Sequence, residues 1–111
     1  MKVTWLGHAA HFTGSNQCAF RMATRIEHAQ KKVVVSTIGD YFPKSSICKQ
    51  QVGCDRFFET MVFEAGDTMD CGCSVIDRCG SLDSIGSNTA KEASDNHYAM
   101  IDKWMKKLKG K

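Results

Sequence analysis

Three cysteines close together in a glycine-rich stretch are the residues of this chain best suited to bind a metal. Cys71 and Cys73 flank Gly72, and Cys79 follows shortly after. Thiolates at such spacing are common zinc ligands, and a closed tetrahedral site needs a fourth ligand. His97 is the candidate, because a mid-helix imidazole on an otherwise apolar face is unfavourable without a partner. Since the spacing differs from the familiar C-x2-C, the alternatives are free thiols and a histidine that hydrogen-bonds a core carbonyl.

Other residues suggest catalytic chemistry less strongly. Cys18 with His8 and His11 is the candidate set for a nucleophile and its base, because a thiol needs a neighbour that lowers its pKa. Cys18 is predicted to lie on the inner face of a strand, where cysteine is usually an inert small apolar residue. Glu59 and Glu64 are predicted to point to opposite sides of one strand, so the sequence predicts no carboxylate pair for acid–base catalysis.

The first nine residues resemble the first strand of metallo-β-lactamase-like hydrolases, in the segment Met-Lys-Val-Thr-Trp-Leu-Gly-His-Ala. That family holds its zinc with a His-x-His-x-Asp-His cluster. The present chain has no such cluster and is far shorter than that fold requires. The resemblance therefore implies a strand followed by a turn, and neither an activity nor a ligand.

A second resemblance extends over residues 1–105. Val-Ser-Thr-Ile-Gly-Asp-Tyr from residue 35, Phe-Glu-Thr-Met-Val-Phe from residue 58 and His97 ahead of Lys103-Trp104 occur in this order. Together they resemble small uncharacterised proteins carried by phages and other mobile elements. The resemblance implies an accessory role and supplies no known activity.

The hydrophobic pattern predicts strands first and a helix last. Alternation of apolar and polar residues, with β-branched or aromatic content, predicts strands over residues 2–6, 18–27, 32–38 and 57–64, and a short strand over 74–76. Residues 18–27 are predicted to be half-buried, with Ile26 on the inner face and Thr24 as its one weak member. Gly39-Asp40 is predicted to end the third strand. Aromatic residues at these periods, Trp5 and Trp104 among them, are predicted to belong to the core.

Residues 89–109 have the pattern of an amphipathic helix. Thr89 and Glu92 have the spacing of a capping box, and Gly110 is suited to end the helix. Apolar residues and one histidine recur at steps of three and four and form one face: Ala90, Ala93, His97, Met100, Ile101, Trp104 and Leu108. The sequence therefore predicts a single α+β domain over residues 1–111. Its expected architecture is an antiparallel sheet of about four strands with one long C-terminal helix packed on one face.

Composition narrows the class of protein. With 111 residues, 42% of them hydrophobic and 24% charged, the chain is expected to form one soluble domain with a core. The net charge of +3 is too balanced to indicate nucleic-acid binding. The sequence shows neither a signal-peptide pattern nor an apolar run long enough to span a membrane. We therefore expect a cytoplasmic protein with reduced cysteines.

These observations favour a non-enzymatic accessory protein of a mobile element or phage that acts by protein binding. The alternatives are a small zinc-binding domain with the Cys/His site and a cysteine- or metal-dependent hydrolase. A homo-oligomer is expected, most simply a twofold dimer, because a small sheet has edges that need covering.

Overall fold

The computed structural model describes residues 1–6, 18–41, 57–68, 74–76 and 80–110. These residues form six strands and one helix in the order β1 (Lys2–Trp5), β2 (Cys18–His28), β3 (Lys31–Tyr41), β4 (Phe58–Thr68), β5 (Ser74–Ile76), β6 (Asp83–Ser87) and α1 (Ala90–Lys109). All strand pairs are antiparallel. β1, β2, β3 and β4 are adjacent in this order, and β5 and β6 both pair with β4.

The hairpin of β2 and β3 forms the centre of the sheet. His28 pairs with Lys31, so the predicted polar connection is a two-residue turn of Ala29 and Gln30. Ala29 has a φ of 57°, a conformation that favours glycine. Both strands are longer than predicted, because His28 of β2 pairs with Lys31 and because β3 continues past Gly39 to Tyr41, which pairs with Cys18.

Gly39 continues β3 instead of ending it. A Cβ atom at this position would clash with the ring of Phe58, which lies directly over the glycine. The Phe58 ring also packs edge-on against Phe20, with 5.3 Å between the ring centroids. Glycine is therefore required here by the close approach of an aromatic side chain from the paired strand β4.

The helix packs on one face of the sheet, which confirms the predicted α+β architecture. Buried apolar side chains from both layers form this core: Ile26, Val33, Val35 and Val62 from the sheet, and Met100, Ile101 and Leu108 from the helix. Two expected members of the helix face behave differently, since Ala90 is exposed and Trp104 is only half-buried. The sheet also has more strands than expected, because Asp83–Ser87 pairs with β4 although it carries only one large apolar residue.

A second apolar cluster lies on the other side of the sheet. Its buried members are Leu6, Ala23, Val34, Phe63 and Ile76. The central part of β2 is therefore buried on both faces, at Ala23 and Arg25 on this side, and there the expectation of a half-buried strand is wrong. The residues of β2 that point away from the helix are alanines and charged residues, so the hydrophobic pattern did not predict burial on that face. For β4, with its less distinct faces, the expectation of burial on both sides is confirmed.

The start of α1 follows the predicted capping box. Thr89 Oγ1 accepts a hydrogen bond from the backbone N–H of Glu92 at 3.1 Å. The Glu92 carboxylate in turn accepts from the Thr89 hydroxyl at 3.2 Å and from the backbone N–H of Asn88 at 3.4 Å. Because β6 ends at Ser87, the cap joins the helix almost directly to the sheet.

Candidate functional site

His97 lies on the sheet-facing side of α1, and a threonine from each of three adjacent strands lies beneath it. Its Nε2 is 3.0 Å from Thr24 Oγ1 of β2, and its Nδ1 is 2.8 Å from Thr37 Oγ1 of β3. Thr37 Oγ1 is also 2.7 Å from Thr60 Oγ1 of β4. The four side chains are buried, and His97 is 0% exposed. Both ring nitrogens are thus within hydrogen-bond distance of protein hydroxyls.

Burial decides the charge state of this ring. Removal of the imidazole from water lowers the pKa of His97 to about 4. The ring is therefore neutral near pH 7, with one nitrogen donating and the other accepting. A hydroxyl can take either role, so Thr24 and Thr37 satisfy both nitrogens whichever tautomer is present. This network fixes the orientation of the imidazole within the core.

Of the four proposed zinc ligands, the structure describes only His97. Cys71, Cys73 and Cys79 lie outside the described residues, and the site that they would form with His97 stays a prediction. Zinc binding by His97 would require one ring nitrogen to exchange its hydroxyl partner for the metal. The second interpretation, a histidine hydrogen-bonded in the core, matches the structure with hydroxyls in place of a carbonyl. Within the described ranges, no three His, Cys, Asp or Glu residues are grouped to hold a metal.

The structure places the other candidates as follows. His8 and His11 lie outside the described residues, and Cys18 is the first residue of β2. Glu59 and Glu64 lie on opposite faces of β4, as the sequence predicted, with Glu64 on the face that carries the helix. The two glutamates therefore do not form a carboxylate pair.

Two exposed aromatic side chains flank His97. The rings of Trp5 and His97 are 6.3 Å apart between centroids and nearly perpendicular, and those of His97 and Tyr98 are 5.7 Å apart and perpendicular. Trp5 and Tyr98 are each 56% exposed. Val3 shares the face of Trp5, because side chains alternate along β1, and Met1 directly precedes the strand; each is 45% exposed. We call Met1, Val3, Trp5 and Tyr98 the edge aromatic patch.

Sequence reasoning missed this patch for a physical reason. Trp5 was expected in the core because it alternates with polar residues in a strand. It is exposed because β1 lies at the end of the strand order, where α1 covers β2, β3, β4 and β6 instead. Tyr98 follows His97 on the helix and points away from the buried face. The helix period predicts its outward position, but the contact of the neighbouring His97 with Trp5 depends on the fold.

Among the described residues, no helix combines the length and the apolar character that crossing a lipid bilayer requires. Comparisons with protein-family models, with curated proteins and with solved structures found no match to this chain.

Proposed function

We propose that this chain is a non-enzymatic accessory protein that acts by protein binding, with the edge aromatic patch as its contact surface. The observation that carries the proposal is the pair Trp5 and Tyr98, each more than half exposed, beside an edge strand. Large aromatic side chains are enriched in protein interfaces and dominate their energetics. The accessory role in this proposal comes from the resemblance of the sequence to small proteins of phages and mobile elements.

The edge strand offers backbone groups as well as side chains. Within the described residues, β1 pairs with β2 alone. The outward N–H and C=O groups of β1 have no strand partner among the described residues, and groups of this kind at a sheet edge can pair with a further strand. Addition of a strand at a sheet edge is a common mode of protein recognition, in which the backbone supplies affinity and alternate side chains supply specificity.

The partner to which we commit is a second copy of this chain. A twofold axis normal to the sheet through Val3 would pair β1 with its mate in antiparallel fashion. Met1 would then oppose Trp5, and Lys2 would oppose Thr4. The apolar side chains of both copies would share one face, and the two Lys2 ammonium groups would not be directly opposed. A closed twofold dimer is the commonest form of soluble oligomer.

His97 has a supporting role in this proposal. Its ring contacts both aromatic members of the patch, and the threonine hydroxyls hold its orientation. Because its pKa is lowered to about 4, it presents no charge to an apolar interface near neutral pH. The patch is thus supported by a fixed and neutral side chain.

Sedimentation velocity over a range of protein concentrations tests the proposal. We expect the wild type to form a dimer, and Trp5→Ala and Tyr98→Ala each to weaken it by about 30-fold, as for a central aromatic contact. Lys106→Ala is the matched control, because Lys106 is exposed on the same helix and lies outside the patch. Thermal melts establish that each variant is folded.

Two outcomes would contradict the proposal. One is a wild type that remains monomeric at every accessible concentration. The other is a dimer that both aromatic substitutions leave as tight as the Lys106→Ala control does.

A further inference from the structure

A cleft of about 490 Å³ lies at the C-terminal end of α1, whereas the edge aromatic patch lies beside the middle of the helix. It is formed where the β2–β3 turn, β4 and the last turns of α1 meet. Its main side chains are Lys31, Val33, Leu82, Trp104, Lys107 and Leu108. The volume falls within the range of small-molecule sites, which is roughly 300–1,000 Å³. None of these residues belongs to the patch.

The apolar wall of the cleft is held in place. Trp104 Nε1 donates a hydrogen bond to Asp83 Oδ2 at 3.1 Å. Lys103 Nζ lies 2.6 Å from the same carboxylate oxygen, and this hydrogen bond lowers the pKa of Asp83. The indole is therefore anchored to β6 while it remains half-buried. Leu82, which also lines the cleft, is 47% exposed and adds apolar surface.

The charge around the cleft is positive. Lys31, Lys32 and Lys107 line it, together with the single carboxylate of Glu64. In the part of the chain that the structure describes, neither Lys31 nor Lys32 forms an ion pair. Lys107 Nζ lies 4.7 Å from the centroid of the Trp104 ring. A cation is thus held beside an aromatic face, where it can also meet an anionic group of a ligand.

We propose that this cleft binds a small organic anion with a flat apolar body, of the aromatic carboxylate class. The flat body would pack on Trp104 and Leu82, and the carboxylate would lie between Lys107 and Lys31. Apolar walls with a few placed charged groups are the usual composition of a ligand site. This site is independent of the self-association proposed above.

The two tryptophans of the chain, Trp5 and Trp104, give a direct readout. In ¹H–¹⁵N spectra each contributes one indole N–H signal, and a Trp5→Phe variant assigns them. Naphthalene-2-carboxylate is the probe, and the neutral naphthalene-2-carboxamide is its matched control. We expect saturable shifts of the Trp104 signal with the carboxylate, little change of the Trp5 signal, and weaker binding of the amide.

Lysine variants test the charge. Lys107→Met and Lys31→Met keep an aliphatic stem and remove the ammonium group. Each should weaken binding of the carboxylate about tenfold, as expected for loss of a charge-assisted contact. Lys106→Met is the control, because that neighbouring lysine does not line the cleft. The proposal is overturned if the Trp104 signal does not shift at millimolar probe, if amide and carboxylate bind equally, or if all three lysine variants bind alike.

Discussion

At the scale of single residues, His97 is a neutral ring whose partners are uncharged hydroxyls. Its pKa is about 4 in the folded chain, against an ordinary value of 6.5. Below pH 6.5 the unfolded chain therefore takes up a proton that the folded chain resists. The free energy of unfolding should fall as the pH drops from 6.5 to 4. The two pKa values correspond to a loss of about 3 kcal/mol.

A His97→Gln variant isolates this effect. Glutamine can hydrogen-bond the threonine hydroxyls but does not titrate, so the variant should be less stable at pH 7 and should lose less stability on acidification. Urea unfolding of both proteins at pH 7, 6, 5 and 4 measures the difference. Parallel curves of stability against pH would show that His97 does not carry the effect.

Only part of the hydrogen-bond network around His97 could be predicted from the sequence. The helix period placed His97 on an apolar face, and the need for a partner followed from burial. The sequence pattern identified Thr24 only as a weak member of an apolar strand face, whereas in the structure it forms a hydrogen bond with the imidazole of His97. Nothing in the sequence predicted that Thr37 and Thr60 would join the network, because hydroxyls contributed by separate strands have no characteristic spacing in the sequence. The register between β2, β3 and β4 determines whether these hydroxyls lie together, and the sequence did not predict that register.

At the scale of elements, the β2–β3 turn departs from what its sequence favours. Ala29 adopts a φ of 57°, which costs an alanine about 1 kcal/mol that glycine avoids. Ala29→Gly should therefore raise the free energy of unfolding by about 0.5–1 kcal/mol, after allowance for the greater freedom of glycine in the unfolded chain. Chemical denaturation at fixed pH is the measurement.

The matched control is the same substitution in the helix. Ala99 is exposed within α1, so Ala99→Gly should lower stability by about 1 kcal/mol. Opposite signs for the two variants would attribute the effect to the backbone conformation of Ala29. A loss of stability at both positions would show that the turn holds alanine without strain.

Elements with strong local signals were predicted, and those that depend on pairing were not. The helix follows its capping residues and apolar period from Ala90 to Lys109. β6 has one large apolar residue among small and polar ones, and it becomes a strand because β4 offers a free edge. Likewise, β3 continues through Gly39 because Phe58 covers that glycine. Such contacts between distant segments are invisible to local propensity.

At the scale of the whole molecule, α1 contributes residues to both proposed binding surfaces, the edge aromatic patch and the cleft. Tyr98, near its middle, belongs to the edge aromatic patch, and Lys107, near its C-terminal end, lines the cleft. At a rise of 1.5 Å per residue, these positions are about 14 Å apart along the helix axis. Sites at such a separation that share no contacting residues usually behave independently.

We therefore expect self-association and ligand binding to be uncoupled. Trp5→Ala should weaken the dimer and leave the affinity for naphthalene-2-carboxylate within about twofold of the wild type, because coupling between sites this far apart is usually small. Lys107→Met should weaken the ligand and leave the dimer unchanged. Because coupling is reciprocal at equilibrium, a saturating probe should not shift the sedimentation profile either. If the probe changed the dimer constant tenfold, the helix would have to transmit a change between its middle and its C-terminal end, and the two surfaces would form one regulated unit.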